Sequence, residues 1–160
     1  MRPTCGGRGF TLVEILVTVA ILAILAGAAI PLAQNSIKRE KEVELARNLR
    51  LMREAIDAYK QLADQKKIVN DKGSDGYPPD LQTLVEGVEV SGATEEAPGQ
   101  KRIHKFLRRI PKDPMTNSLD WGLRSSQDAP EADSWGGENV YDVYTKSRAK
   151  ALDGSIYREW

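Results

Sequence analysis

Glu14 is the residue of this chain whose setting demands chemistry. It is the single charged side chain between Phe10 and Ile37. Inside a membrane-spanning helix an ionised side chain costs at least about 2.5–3.5 kcal/mol unless a partner offsets it. A carboxylate needs a cation, and the surrounding run has no basic residue. The cation must then come from another chain or from a new amino terminus made near Phe10. The alternative is a shallow Glu14 hydrated by headgroups.

No second constellation competes with it. His104 is the sole histidine, and no Ser/His/Asp or paired-carboxylate motif surrounds it, so no catalytic set is legible. One histidine and one cysteine, Cys5, exclude a Cys/His zinc cluster and a disulfide framework. The 160 residues carry 23 Lys plus Arg against 23 Asp plus Glu, and zero net charge removes the usual electrostatic case for nucleic acid.

The element that must position Glu14 is the run FTLVEILVTVAILAILAGAAI, residues 10–30. As a helix it extends about 31 Å, which matches a hydrocarbon core of about 30 Å. A buried core helix would show one apolar stripe, whereas this run is apolar on every face apart from Glu14 and two threonines. Ahead of it, MRPTCGGRG carries Arg2 and Arg8 and no acid, as in the n-region of an exported protein. An ordinary secretory signal peptide is the competing reading, and Ala26, Gly27 and Ala28 resemble its small-x-small cleavage site. Against it stand the length of the run and a carboxylate that would serve nothing. A lipoprotein reading of Cys5 fails because the apolar run follows the cysteine. Pro31 predicts a kink, with a helix stop as the alternative.

Beyond Lys38 the pattern changes. Leu45, Leu49, Met52, Ile56, Tyr59 and Ala63 recur at spacings of four and three, one apolar face of a helix. The remaining faces carry charges read as solvated, including Glu42 and the i, i+4 pairs Arg50/Glu54 and Arg53/Asp57. Lys66 and Lys67 suit its end. Residues 70–76 read as a turn-rich break, the stretch from Tyr77 leads into a short helix to about Glu86 with Pro79 placed where a first helical turn tolerates it, 87–100 read as an exposed loop, and 101–109 as a third helix bearing His104 on its surface. The best strands are residues 120–126 and 139–147, in a tail that holds six of the ten aromatics. The fold class is α+β: a long N-terminal helix, membrane half plus amphipathic half, packed on a small antiparallel sheet, a lollipop.

Gly9 followed by Phe10, Thr11, Leu12, Val13 and Glu14 resembles the prepilin signature of type IV pilins and type II secretion pseudopilins. Further along, Tyr77-Pro78 before Leu81 to Gly87, the stretch Phe106 to Pro114, and Tyr141 to Tyr144 before Asp153-Gly154 resemble the major, G-type pseudopilins. The resemblance implies a pilin-like lollipop with a cleaved leader at 1–9, an assembly helix at 10–30, an amphipathic half at 31–66 and a periplasmic domain at 67–160. It implies that prepilin peptidase cuts between Gly9 and Phe10 and methylates the new Phe10 amine, and that this amine pairs with Glu14 of a neighbouring subunit. Pro31 would bend the assembly helix.

The implied role is a non-enzymatic subunit of a periplasmic pseudopilus that drives protein export, single-pass in the inner membrane. Its partners would be prepilin peptidase, further copies of itself, other pseudopilins, the inner-membrane assembly platform and lipid, with no nucleic acid. A type IV pilin of a surface fibre is the alternative. A secreted binding module or enzyme behind an ordinary signal peptide is the rival from another class. No cofactor is required; the family tends to bind calcium in its last loop, which here points to Asp128, Asp133 and Asp153. Lys146, Arg148 and Lys150 depart from that pattern by adding basic residues where a cation would bind.

Overall fold

The computed structural model describes residues 9–69, 74–91, 102–132 and 134–160, with the side chains at 28, 30 and 31 left aside. The chain divides into two compact units with the boundary between Arg39 and Glu40. In order, the elements are helix α1 (Leu12–Asp64), helix α2 (Leu81–Glu86), strands β1 (Val88–Val90), β2 (Arg102–His104), β3 (Gly122–Arg124) and β4 (Asp142–Tyr144), and a closing 3₁₀ turn at Tyr157–Glu159. This is the α+β arrangement the patterning predicts. The antiparallel strands form two two-stranded ladders, β1–β2 and β3–β4.

Helix α1 starts where Thr11 caps it. The Thr11 hydroxyl accepts the Glu14 N–H at 3.2 Å, and the first helical bond runs from the Ile15 N–H to the Thr11 carbonyl. Proline at 31 removes the N–H that would bond the Gly27 carbonyl, yet the helix continues through it, so the helix-stop alternative does not hold. The other end is a Schellman closure: the Lys67 N–H reaches the Leu62 carbonyl, the Lys66 N–H reaches that of Ala63, and Lys66 takes φ +55. Glycine usually fills that place, so here the basic pair is the signal the sequence offered.

In the second unit, the six apolar residues predicted for one face of α1 are all buried. They pack with Leu81, Leu84, Leu107, Trp121, Val140, Val143 and Tyr157. Burying side chains of this size contributes about 1.5–3 kcal/mol each, far more than the few tenths from surface i, i+4 pairs. α2 is capped by Asp80, whose carboxylate accepts both the N–H and the hydroxyl of Thr83. Pro79 therefore precedes the cap instead of occupying the first turn. Gly87 closes the helix at φ +86; a Cβ there would stand 2.5 Å from the His104 carbonyl oxygen, so no larger residue lets β1 approach β2.

Three sequence expectations change. Residues 102–104 form a strand, not the start of a third helix: β2 pairs with β1, and the Phe106 and Leu107 N–H groups both bond the Leu84 carbonyl. A nine-residue apolar pattern is too short to hold a helix against such tertiary bonds. Consistent with that, Ile103 is 66% exposed while Leu107 is buried. The exposed loop expected from residue 87 contains β1 at its start; residues 92–100, like most of the 70–76 break, lie outside the described residues. Third, two charges read as solvated are fasteners. Arg53 donates to Asp142 at 2.7 Å and to the Trp160 carbonyl at 2.7 Å, bypassing Asp57. Glu42 accepts from the Leu152 N–H at 2.8 Å and the Tyr157 hydroxyl at 2.7 Å.

Candidate assembly and processing site

Gly9 and Phe10 precede the cap of α1 and are exposed; nothing lies within 4 Å of where a Gly9 side chain would begin. Glu14 sits one turn further on, in the first turn of α1. The sequence Thr11-x-x-Glu14 is a capping-box pattern, of which the Thr11 half is formed. That signal is legible in the sequence and identifies Thr11 as a positioning residue for the first turn. Capping and the helix dipole favour a carboxylate here by about 0.3–1 kcal/mol. This is less than the membrane cost of an unpaired ion, so the local structure alone does not account for Glu14.

No ion pair to Glu14 exists among the described residues. The large apolar side chains from Phe10 to Leu25 are all at least half exposed, and α1 is long and apolar enough to cross a membrane. Within it, the Thr18 hydroxyl donates to the Ile15 carbonyl at 2.9 Å, so this polar group is satisfied by its own helix, as a lipid environment requires. Position 31 is helical backbone.

Of the proposed calcium ligands, Asp128 and Asp153 each bond within their own turn. Asp128 accepts the Ser125 and Gly136 N–H groups, closing its own turn. Asp153 accepts the N–H and hydroxyl of Ser155, and those bonds hold its carboxyl below the usual carboxylate range. Asp133 lies outside the described residues. Among the described residues no group of three or more His, Cys, Asp or Glu side chains is placed to hold a metal ion. His104 is exposed on β2 and stacks edge-on against Phe106.

Sequence reasoning did not find the polar hub of the second unit. Asp113 is fully buried and accepts from the Thr145 and Thr116 hydroxyls and the Met115 N–H. Its signal was present in the Asp113-Pro114 turn dipeptide, but the partner Thr145 is distant in sequence. Tyr157 is equally buried, and burial together with the Glu42 carboxylate pushes its hydroxyl up to about 12.

An exposed helix apolar on all faces, headed by a glycine–phenylalanine junction and one unpaired carboxylate, places the chain in the prepilin-like class. Residues 7–30 match the family model described as the prokaryotic N-terminal methylation motif. The chain is 30% identical to a type II secretion system core protein G of Escherichia coli over 73% of this chain and 72% of that one. It is 28% identical to core protein G of Vibrio cholerae over 71% and 68%, and 35% identical to the type IV major fimbrial protein FimA of Dichelobacter nodosus over 58% of each chain. No solved structure matches it. The chain belongs to the type IV prepilin-like family that includes the core G proteins, and has the structural role of a pilin or pseudopilin subunit.

Proposed function

We propose that the chain is a subunit of a type II secretion pseudopilus, made as a precursor, cut between Gly9 and Phe10 by prepilin peptidase, methylated at the Phe10 amine and polymerised to drive protein export. The observation that carries this reading is Glu14: a lone carboxylate one turn from the junction, in an apolar run that has no basic residue before Lys38. The new amine of a neighbouring copy supplies the missing charge. Moving an all-apolar helix from lipid to a filament core costs little, because both environments are apolar, so the ion pair selects register. The precursor crosses the inner membrane once, with its C-terminal domain in the periplasm, and meets other pseudopilins and the assembly platform there. The role is structural, not enzymatic.

Core protein G relatives spanning about seven tenths of the chain favour secretion. The FimA likeness supports a surface fibre as the second reading. Deleting the gene distinguishes them: loss of secretion supports the pseudopilus, whereas loss of twitching with intact secretion supports the fibre. Mass spectrometry of the mature chain should find N-methyl-Phe10, and a start at Ala29 would reject the processing scheme. Calcium held by Asp128, Asp133 and Asp153 is a separate proposal. A calorimetric titration with no heat and no rise in Tm removes it.

A further inference from the structure

The second unit carries two surfaces of complementary charge, and no residue of the second lines the first. The first is an open groove of about 1290 Å³ between α1 and the segment from Phe106 to Lys112. Its apolar floor includes Val43, Leu51 and Leu119, which are 65%, 47% and 60% exposed. Arg47, Arg108, Arg109 and Lys112 rim it, against the two carboxylates Glu40 and Glu44. Arg108, Arg109 and Lys112 are exposed and make no ion pair among the described residues.

The second is the turn that carries Glu131, Trp135 and Glu138. Between Gln127 and Asn139 the sequence has acidic residues and no basic one. Glu131 and Glu138 are exposed, and Trp135 is 38% exposed with its indole N–H fixed on the Asn139 carbonyl at 2.8 Å. Its Asn139 end is fastened: Asn139 donates to the Ser74 carbonyl and accepts the Ser126 N–H, and Ser126 donates to Asp75. Those residues adjoin Gly76, which stands against Lys60 and Ala63 near the end of α1.

We propose that the groove receives the Glu131–Trp135–Glu138 turn of a second copy of this chain, with Trp135 on the Val43, Leu51 and Leu119 floor and the two carboxylates facing Arg47, Arg109 and Lys112. A tryptophan already fixed by its own hydrogen bond loses little entropy on docking, and Trp and Arg are the side chains that dominate interface energetics. The basic rim and acidic turn set partner orientation. A contact between two unlike surfaces of one domain is head-to-tail, and when it does not close into a ring it generates an open filament. The inference rests on the polymer reading above and adds to it which surfaces of the soluble domain meet.

The test uses the full chain with Cys5→Ser, expressed with prepilin peptidase. A variant carrying both Val43→Cys and Ser134→Cys, which keeps Trp135, should give a ladder of disulfide-linked multimers on oxidation, while each single variant stays monomeric. Arg109→Glu with Lys112→Glu should lower sedimentable polymer at least ~10-fold, and adding Glu131→Lys with Glu138→Lys should restore it to within ~3-fold. Should the chain polymerise yet show neither ladder nor charge-swap rescue, the docking is wrong and the polymer reading stands. Should the unaltered chain give no sedimentable polymer, the polymer reading itself is overturned, and this inference with it. If the charge variants fold poorly, as judged by thermal melting, the cysteine ladder alone decides.

Discussion

The first and second halves of α1 obey different rules within one continuous helix. From Leu12 to Leu25, and again at Leu32 and Ile37, the large apolar side chains are exposed, and among the described residues no tertiary contact covers them. From Leu45 to Ala63 one stripe is buried and the polar residues beside it bond to distant parts of the chain. A helix that buries a stripe against its own domain is stabilised within the chain. One that exposes apolar surface all round must find its apolar surroundings elsewhere, in lipid or among copies of itself. The lone carboxylate belongs to the second kind of helix, where a missing partner is most costly.

That contrast can be broken most severely at Ile56. Ile56→Ala opens a cavity in the buried stripe and should cost about 2–5 kcal/mol in denaturant unfolding. Ile21→Ala, on the exposed half, should leave the same unfolding curve unchanged. Equal losses at both positions would erase the distinction.

Glu14→Ala should insert, be cleaved and leave the fold intact, yet assemble poorly. Losing a pair that offsets about 2.5–3.5 kcal/mol reduces sedimentable filament roughly 100-fold. Normal filaments from that variant would sink the ion-pair mechanism. Arg53→Ala removes charged hydrogen bonds to Asp142 and the Trp160 carbonyl and should lower stability by about 2 kcal/mol, with Asp57→Ala near neutral. Thermal melting of the two variants compares the tertiary partner with the i, i+4 one that the spacing suggests. Thr11→Ala, which removes the cap of the exposed half, should cost about 1 kcal/mol of helix stability and show as fraying of the first turn in amide exchange.

The last effect is one of pH, at Tyr157. Its folded pKa, raised to about 12 by burial and by Glu42, exceeds the ordinary value of 10.0. The raised pKa means that the folded state keeps a proton the unfolded state has released. The contribution is therefore complete below about pH 10 and is lost as pH climbs from about 10 to about 12. Tyr157→Phe should flatten the stability curve in that window; an unchanged curve would show that the buried hydroxyl is not its source.

How much of this was legible in the sequence depended on the range of the interaction. The apolar run, the stripe from Leu45 to Ala63, the short helix at Leu81 and the strand pair near Leu123 and Val143 are local patterns, and all are present. The Thr11 cap was equally local and readable from Thr-x-x-Glu. The misassigned helix at 101–109 had helical spacing at Phe106, Leu107 and Ile110, but the Leu84 carbonyl took the N–H groups a helix would have used. Glu42 and Arg53 looked like ordinary surface charges, because their partners lie 115 and 89 residues away.

The sequence by itself determined that this chain has a membrane-length helix, a glycine–phenylalanine junction ahead of it and one carboxylate without a cation. Removing Arg2 and Arg8 with residues 1–9 would also leave 21 basic side chains against 23 acidic ones. These follow from residue type and spacing along a helix, where geometry is fixed by 3.6 residues per turn. Only the tertiary structure decided which charges fasten the domain, where β1 and β2 pair, and that a groove with a basic rim opens beside α1. Side-chain partners across a hundred residues are chosen by how the chain packs, and packing leaves no periodic mark in the sequence.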